Sequence, residues 1–159
     1  AVEADKLRIS ALKSFAENLK LQNLQNPNDL PKIAENYRKI LGDWQKSADE
    51  IGEALTLQQL GQTLNSSGDI KEAVEYYNKA LNIWQNLKIE TEIANALNMR
   101  CYANYRMNEY QKALEDANAA LKKYREFGDK TGESELMMLV GNLYLDLGKR
   151  DLAVDLYNQ

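Results

Sequence analysis

The stretch Gly61 to Leu81, GQTLNSSGDIKEAVEYYNKAL, decides the fold. It reads as the end of one helix, a turn at Ser66-Ser67-Gly68-Asp69, and a second, amphipathic helix. That second helix carries the small residues Ala73 and Ala80 on the same face as Tyr77. Moving forward 40 residues puts Ala113, Ala120 and Leu121 in the places of Ala73, Ala80 and Leu81. A further 40 puts Gly141, Gly148, Ala153 and Tyr157 in the places of Gly61, Gly68, Ala73 and Tyr77. A fixed period of this kind signals stacked supersecondary units. One helical hairpin has two apolar faces, cannot bury both alone, and covers them by stacking on neighbours.

Working outward, residues 5 to 24 read as one amphipathic helix, with Leu7, Ala11, Phe15 and Leu19 at helical spacing. Asn26-Pro27-Asn28-Asp29 is a strong turn signal. The next helix should start close to Leu30, with Pro31 in a first turn that tolerates its missing N–H. Its Ile33, Tyr37, Ile40, Leu41 and Trp44 precede Ala73, Tyr77, Ala80, Leu81 and Trp84 by 40 residues, so this pair is a divergent first copy. A third helix is expected from Lys46 to Asn65, stopped by Gly68, and a fourth from the Asp69 cap to Leu87. Helices from Glu90 to Met107, Glu109 to Phe127 and Thr131 to Leu147 follow, and an eighth begins near Lys149-Arg150-Asp151. The copies therefore span about 5–45, 46–88 and 89–128, with an incomplete one over 129–159, in a single array covering 1–159. Arg100 and Asn104 stand where the second copy has Leu60 and Leu64, which should weaken the packing of the third copy without changing the period.

Composition limits the function. At 159 residues the chain is long enough to bury a core. The net charge of -4, with signs interspersed, gives no basic footprint for nucleic acid. The most apolar run, Leu136 to Leu147, contains Gly141, Asn142 and Asp146 and is too short to span a bilayer. A single cysteine, Cys101, excludes an internal disulfide framework. The absence of histidine removes the commonest metal ligand and the commonest acid–base group at neutral pH. No phosphate loop or metal-ligand spacing occurs, so no cofactor, metal or catalytic residue is expected. Ala at position 1 is expected to reflect processing or trimming, and a removed signal peptide would leave no trace. A cytoplasmic location is favoured, with export not ruled out.

Leu57, Leu60, Gly61 and Leu64 on one helix, followed by Gly68, Ala73, Tyr77 and Ala80, resemble the tetratricopeptide repeat family over essentially the whole length. The family's usual period is about 34 residues. The longer one here resembles the class found in kinesin light chains, spindle-orientation adaptors and bacterial regulators, including arrays joined to caspase-like CHAT protease domains. The resemblance implies an all-α solenoid of about eight helices in antiparallel pairs, coiled into a right-handed superhelix. It also implies that the first helix of each pair lines the concave side.

If so, residues off the packing face can be read at the repeat spacing as a peptide-binding groove. These are Gln58, Gln62 and Asn65 in the second copy, then Asn95, Asn98, Tyr102, Tyr105 and Arg106 in the third. Glu135, Met138, Asn142 and Leu145 follow in the fourth, and Asn18, Gln22 and Gln25 match in the first. Carboxamides both donate and accept hydrogen bonds and so suit the backbone of an extended peptide, while tyrosines give rigid contact area. The alternative is that these are ordinary solvated helix residues. Only Arg106 is basic, so the lysine-and-arginine clamp that some family members close on chaperone C-termini is missing. Glu135 and Asp146 make the far end of the groove acidic, which prefers a mixed or basic peptide. Cys101 occupies the place of Gly61 and Gly141 and reads as a small packed residue; Trp44, Trp84 and Tyr124 read as inter-repeat packing.

The expectation is thus a non-catalytic scaffold for a protein or peptide partner, with no nucleic acid and no membrane insertion. Two alternatives are the regulatory part of a larger protein, such as one carrying a CHAT-type protease, and homo-oligomerisation through the incomplete last repeat.

Overall fold

The computed structural model describes residues 2–158; Ala1 and Gln159, the ends of the expected array, lie outside the described residues. The described residues form eight α-helices: α1 (Val2–Asn23), α2 (Leu30–Ser47), α3 (Glu50–Ser67), α4 (Ile70–Leu87), α5 (Glu90–Arg106), α6 (Tyr110–Phe127), α7 (Lys130–Asp146) and α8 (Arg150–Tyr157). A 3-10 turn at Pro27–Asp29 joins the first two. The chain divides into two compact units, Ala1–Leu87 and Lys88–Gln159. In the first, α1 packs on α2, α2 on α3 and α3 on α4, with α1 also touching α3. In the second, α5 packs on α6, α6 on α7 and α7 on α8, with α5 also touching α7. Within each unit this is the helix stacking of a tetratricopeptide-type, all-α solenoid.

The period has a local cause in the turns. A helix of 18 residues such as α3 or α4 is followed by one left-handed residue and one cap residue. Those twenty residues are half the 40-residue repeat. Besides Gln25 (φ 53°) after α1, the left-handed positions are Ala48 (53°), Gly68 (97°), Lys88 (56°), Asn108 (60°), Gly128 (71°) and Gly148 (72°). At five of these turns the next N–H reaches back to a carbonyl five residues earlier, the bond that closes a Schellman motif. The bonds are Asp49 to Trp44 (3.1 Å), Asp69 to Leu64 (2.9 Å), Glu109 to Asn104 (2.9 Å), Asp129 to Tyr124 (2.9 Å) and Lys149 to Tyr144 (2.7 Å).

One expected boundary needs correction. The third helix starts at Glu50 rather than Lys46, because α2 continues to Ser47 and Asp49 caps α3 by accepting from the Gly52 N–H at 2.9 Å. The same cap recurs 80 residues later, where Asp129 accepts from the Gly132 N–H at 3.0 Å. Both glycines also serve packing. A Cβ on Gly52 would lie 2.5 Å from the Trp44 ring, and one on Gly132 would lie 3.0 Å from Tyr124.

In the second and fourth pairs a glycine lies under a tyrosine ring. In α3 and α4 Gly61 lies beneath Tyr77, where a Cβ would come within 2.6 Å of the ring, and in α7 and α8 Gly141 lies beneath Tyr157. The third copy reverses the sizes: Cys101 replaces the glycine, and Ala117, which meets it, replaces the tyrosine. Around them polar contacts take the place of the apolar ones. Arg100 holds Asp116 through Nε at 2.9 Å and Nη2 at 2.5 Å, and the Asn104 amide donates to the same carboxylate at 3.1 Å. A polar cluster thus fills the place of Leu60, Leu64 and Tyr76.

Two glycine-to-alanine changes separate close approach from helix propensity. Gly61→Ala should destabilise the protein by about 1–3 kcal/mol through overpacking against Tyr77. Gly42→Ala, within α2 and with nothing within 4 Å of a new Cβ, should stabilise it by about 1 kcal/mol. Urea midpoints at constant m-value measure both; a neutral Gly61→Ala would contradict the packing argument.

Candidate functional site

In unit 1 the α1–α3 face changes character along its length. Leu12, Phe15, Ile51 and Leu55 border a small apolar depression of about 190 Å³ above Trp44 and Gly52. About 15 Å further along α1, ten residues at helical rise, the face becomes polar. There Gln22, Asn23, Gln25, Asn26, Gln59 and Gln62 line a cleft of about 530 Å³ that Pro27 and Ser66 help to close. The Gln22 carboxamide donates to Gln59 Oε1 at 3.2 Å and Gln62 Oε1 at 3.4 Å, and accepts from the Tyr37 hydroxyl at 2.7 Å. Tyr37 thereby fixes Gln22 from below, and burial pushes the Tyr37 phenol well above its ordinary range. Asn26 is held by its turn, accepting from the Asn28 N–H at 3.1 Å.

The predicted residues of this unit separate. Gln62 is exposed at the cleft, and Asn65 is half-buried on the last turn of α3. Gln58 is not on the groove surface: it is 3% exposed and accepts from the Trp84 indole N–H at 2.6 Å. Its counterpart Asn18 is also inside, donating to the Ile33 carbonyl at 2.9 Å. The indole one period before Trp84, Trp44, instead donates to Thr56 of the next pair at 2.9 Å. The carboxamides at 18 and 58 therefore satisfy buried groups rather than face a ligand. Asn23, Asn26, Gln59 and Ser66 were missed by repeat spacing; the run Gln22-Asn-Leu-Gln-Asn-Pro-Asn28, dense in carboxamides, was the available signal.

In unit 2 the α5–α7 face divides similarly. Near the helix starts, half-buried Asn95 and Asn98 flank the Tyr124 hydroxyl, which donates to Asn95 Oδ1 at 3.3 Å and accepts from Asn98 Nδ2 at 3.4 Å. Burial raises the Tyr124 phenol, and the charges of Asp129, Glu135 and Glu92 add to the shift. Exposed Asn142 accepts from the Tyr157 hydroxyl at 2.9 Å, repeating the Gln22–Tyr37 pairing. Near the helix ends, Tyr102 is 51% exposed, while Tyr105 packs on Tyr110 with ring centres 5.9 Å apart, tilted 42°. The neighbouring Asp146 carboxylate raises the Tyr105 phenol. Arg106 is exposed at the end of α5 and makes interactions of its own; Glu135, Met138 and Leu145 are exposed on α7. Tyr110 was missed because it opens a second helix, where repeat spacing places packing residues.

This arrangement offers hydrogen bonds, aromatic surface and negative charge. Among the described residues no group of acidic or cysteine side chains is placed to hold a metal, and no helix is long and apolar enough to cross a membrane. Cys101 is fully buried, and burial with the Asp116 charge pushes its thiol from 9.0 up to about 12.

Comparison with known proteins follows the architecture. The sequence model of the tetratricopeptide repeat family matches residues 28–86. No curated protein sequence matches significantly. Among solved structures the chain is similar to BtubC (BKLC) from P. vanneervenii, with TM-score 0.74 and 17% identity over 96% of this chain and 71% of that one. It is also similar to the nearly identical TPR-like repeats of a candidate kinesin light chain from Podosopora anserina, with TM-score 0.77 and 15% identity over 98% and 74%. RapI in its apo form gives TM-score 0.72 and 16% identity over 99% of this chain and 42% of that one. At these identities the likeness is one of fold.

The Cys101 environment gives a prediction with a definite sign. Below pH 9 the thiol is protonated in both folded and unfolded chains; between 9 and 12 only the unfolded chain loses the proton. Stability should therefore be full below pH 9 and fall above it, by at most about 1.4 kcal/mol per pH unit for this group. The raised Tyr37 and Tyr124 phenols act in the same direction above pH 10. Calorimetric melting from pH 7 to 11 measures the loss. A thiol reagent at pH 8 should label the unfolded chain and spare the native one; rapid native labelling would contradict the burial.

Proposed function

We propose that this chain, which has a tetratricopeptide-type fold and matches that repeat family over residues 28–86, is a non-catalytic scaffold that holds an extended peptide or partner domain on the faces formed by α1–α3 and α5–α7. The observation that carries this reading is the unit 1 cleft, where six carboxamides border about 530 Å³. Their mutual hydrogen bonds are long, 3.2 and 3.4 Å, and can be exchanged for those of a peptide backbone without leaving a buried group unpaired. The neighbouring Leu12, Ile51 and Leu55, 55%, 50% and 37% exposed, supply apolar contact beside the polar cleft. A single array over 1–159 with four copies remains part of the proposal, but binding needs only the surface of each unit. The regulatory or self-associating alternatives rest on the exposed Leu152 and Val154 of α8 and Met138 of α7, apolar residues that another chain segment or a second copy would cover.

The expected outcome on a random peptide array is binding of a subset of extended sequences. Gln22→Ala with Gln62→Ala should weaken binding about tenfold; Gln62→Ala alone should weaken it about threefold at unchanged melting temperature, whereas Gln22→Ala also costs stability because Gln22 accepts from the buried Tyr37 hydroxyl. Gln58→Ala should behave differently, costing about 1–3 kcal/mol of stability by leaving the Trp84 indole unpaired. Binding untouched by the Gln22/Gln62 pair would remove the cleft from the proposal.

A further inference from the structure

We propose that the α5–α7 face of unit 2 selects partner segments carrying cationic side chains, received by Asp146 together with Tyr102 and Tyr105 at one end and by Glu135 with Glu92 at the other. The inference rests on the scaffold reading and names the chemistry of the ligand.

Its first support is the tyrosine group. Tyr102 is half exposed, Tyr105 is set against Tyr110 with ring centres 5.9 Å apart, and Asp146 lies near enough to raise the Tyr105 phenol. A guanidinium or ammonium laid on these rings meets their negative faces and a carboxylate at once, a combination that favours arginine over a neutral side chain. Tyr102 stands one period after Gln62 and one before Asn142, both exposed, so this register position faces outward in all three copies and the third copy alone places an aromatic ring there.

Its second support is charge. Glu92 accepts from Asn95 at 3.5 Å, Asn95 in turn accepts from the Tyr124 hydroxyl at 3.3 Å, and the charges of Asp129 and Glu135 also reach that phenol, so carboxylates gather at this end of the face. The nearby cations are engaged elsewhere: Lys130 and Arg125 with Glu133, and Lys123 with Glu90. Arg106 is the one basic residue predicted for this face, and it too makes interactions of its own. Glu135 and Asp146 lie on one helix, about 16 Å apart along its axis at helical rise. An extended peptide covers that length in about five residues. The preferred segment therefore carries two cationic residues about five positions apart.

Three labelled peptides of about ten residues, identical except for Arg, Gln or Glu at two positions five apart, test this by fluorescence anisotropy. The Arg peptide should bind about tenfold tighter than the Gln peptide at low salt, the Glu peptide weaker still, and the gain should shrink at about 1 M salt. Tyr102→Ala should lower Arg-peptide affinity about threefold, and Glu135→Gln with Asp146→Asn should abolish the preference for Arg. Equal binding of all three peptides, or a preference that survives the double carboxylate variant, overturns the inference while leaving the scaffold reading in place. Failure of all three, and of every sequence on the random array, overturns both.

Discussion

The structure depends on one close approach, repeated: two antiparallel helices that cross where one of them has no side chain. At Gly61 a Cβ would come within 2.6 Å of the Tyr77 ring, so the glycine and the ring share one volume. Interiors pack at crystal density, so the sum of the two side chains is constrained more tightly than either alone. The third copy shows this directly. Its Cys101 is larger than glycine and its Ala117 smaller than tyrosine, and the pair still fits. Helix spacing is thus conserved along the chain by complementary sizes rather than by fixed residue types.

The part of the fold governed by local chemistry was legible in the sequence. Gly68, Asn108, Gly128 and Gly148 mark turns because glycine and asparagine enter the left-handed region at low cost. Ala48 and Lys88 occupy the same region with no residue type to announce it, held by the helices on either side. That is why the start of α3 was placed four residues early. Its Asp49 cap and Gly52 gave a signal that is repeated at Asp129 and Gly132 but absent at Ile89 and Glu92 between them.

The candidate site was legible only in part, for a geometric reason. Periodicity tells which stripe of a helix faces its neighbours, but not how far a partner's side chain reaches around it. Gln58 and Gln62 lie one turn apart on the same stripe. Trp84 reaches Gln58 and draws it inside, while Gln62 remains exposed beside Gln22. Asn95 and Asn98 are likewise occupied by Tyr124. The long aromatic near the end of α4 and of α6 thus sorts carboxamides into structural and available sets, and sequence spacing cannot see that sorting.

The irregular copy is where scaffold and recognition meet. Replacing Leu60, Leu64 and Tyr76 by Arg100, Asn104 and Asp116 exchanges apolar burial for a nearly buried ion pair with an added amide bond. Desolvation offsets much of the attraction in such a pair, so added stability is a weak reason for it. Its consequence lies in what the exchange permits. With charge and hydrogen bonding filling the interior and Cys101 fitting over Ala117, the third copy no longer needs a buried tyrosine on its second helix. On α5 exposed Tyr102 and half-buried Tyr105 stand in the places of Gln62 and Asn65, near the Asp146 carboxylate. The face of this copy therefore differs in chemistry from the carboxamide cleft of unit 1.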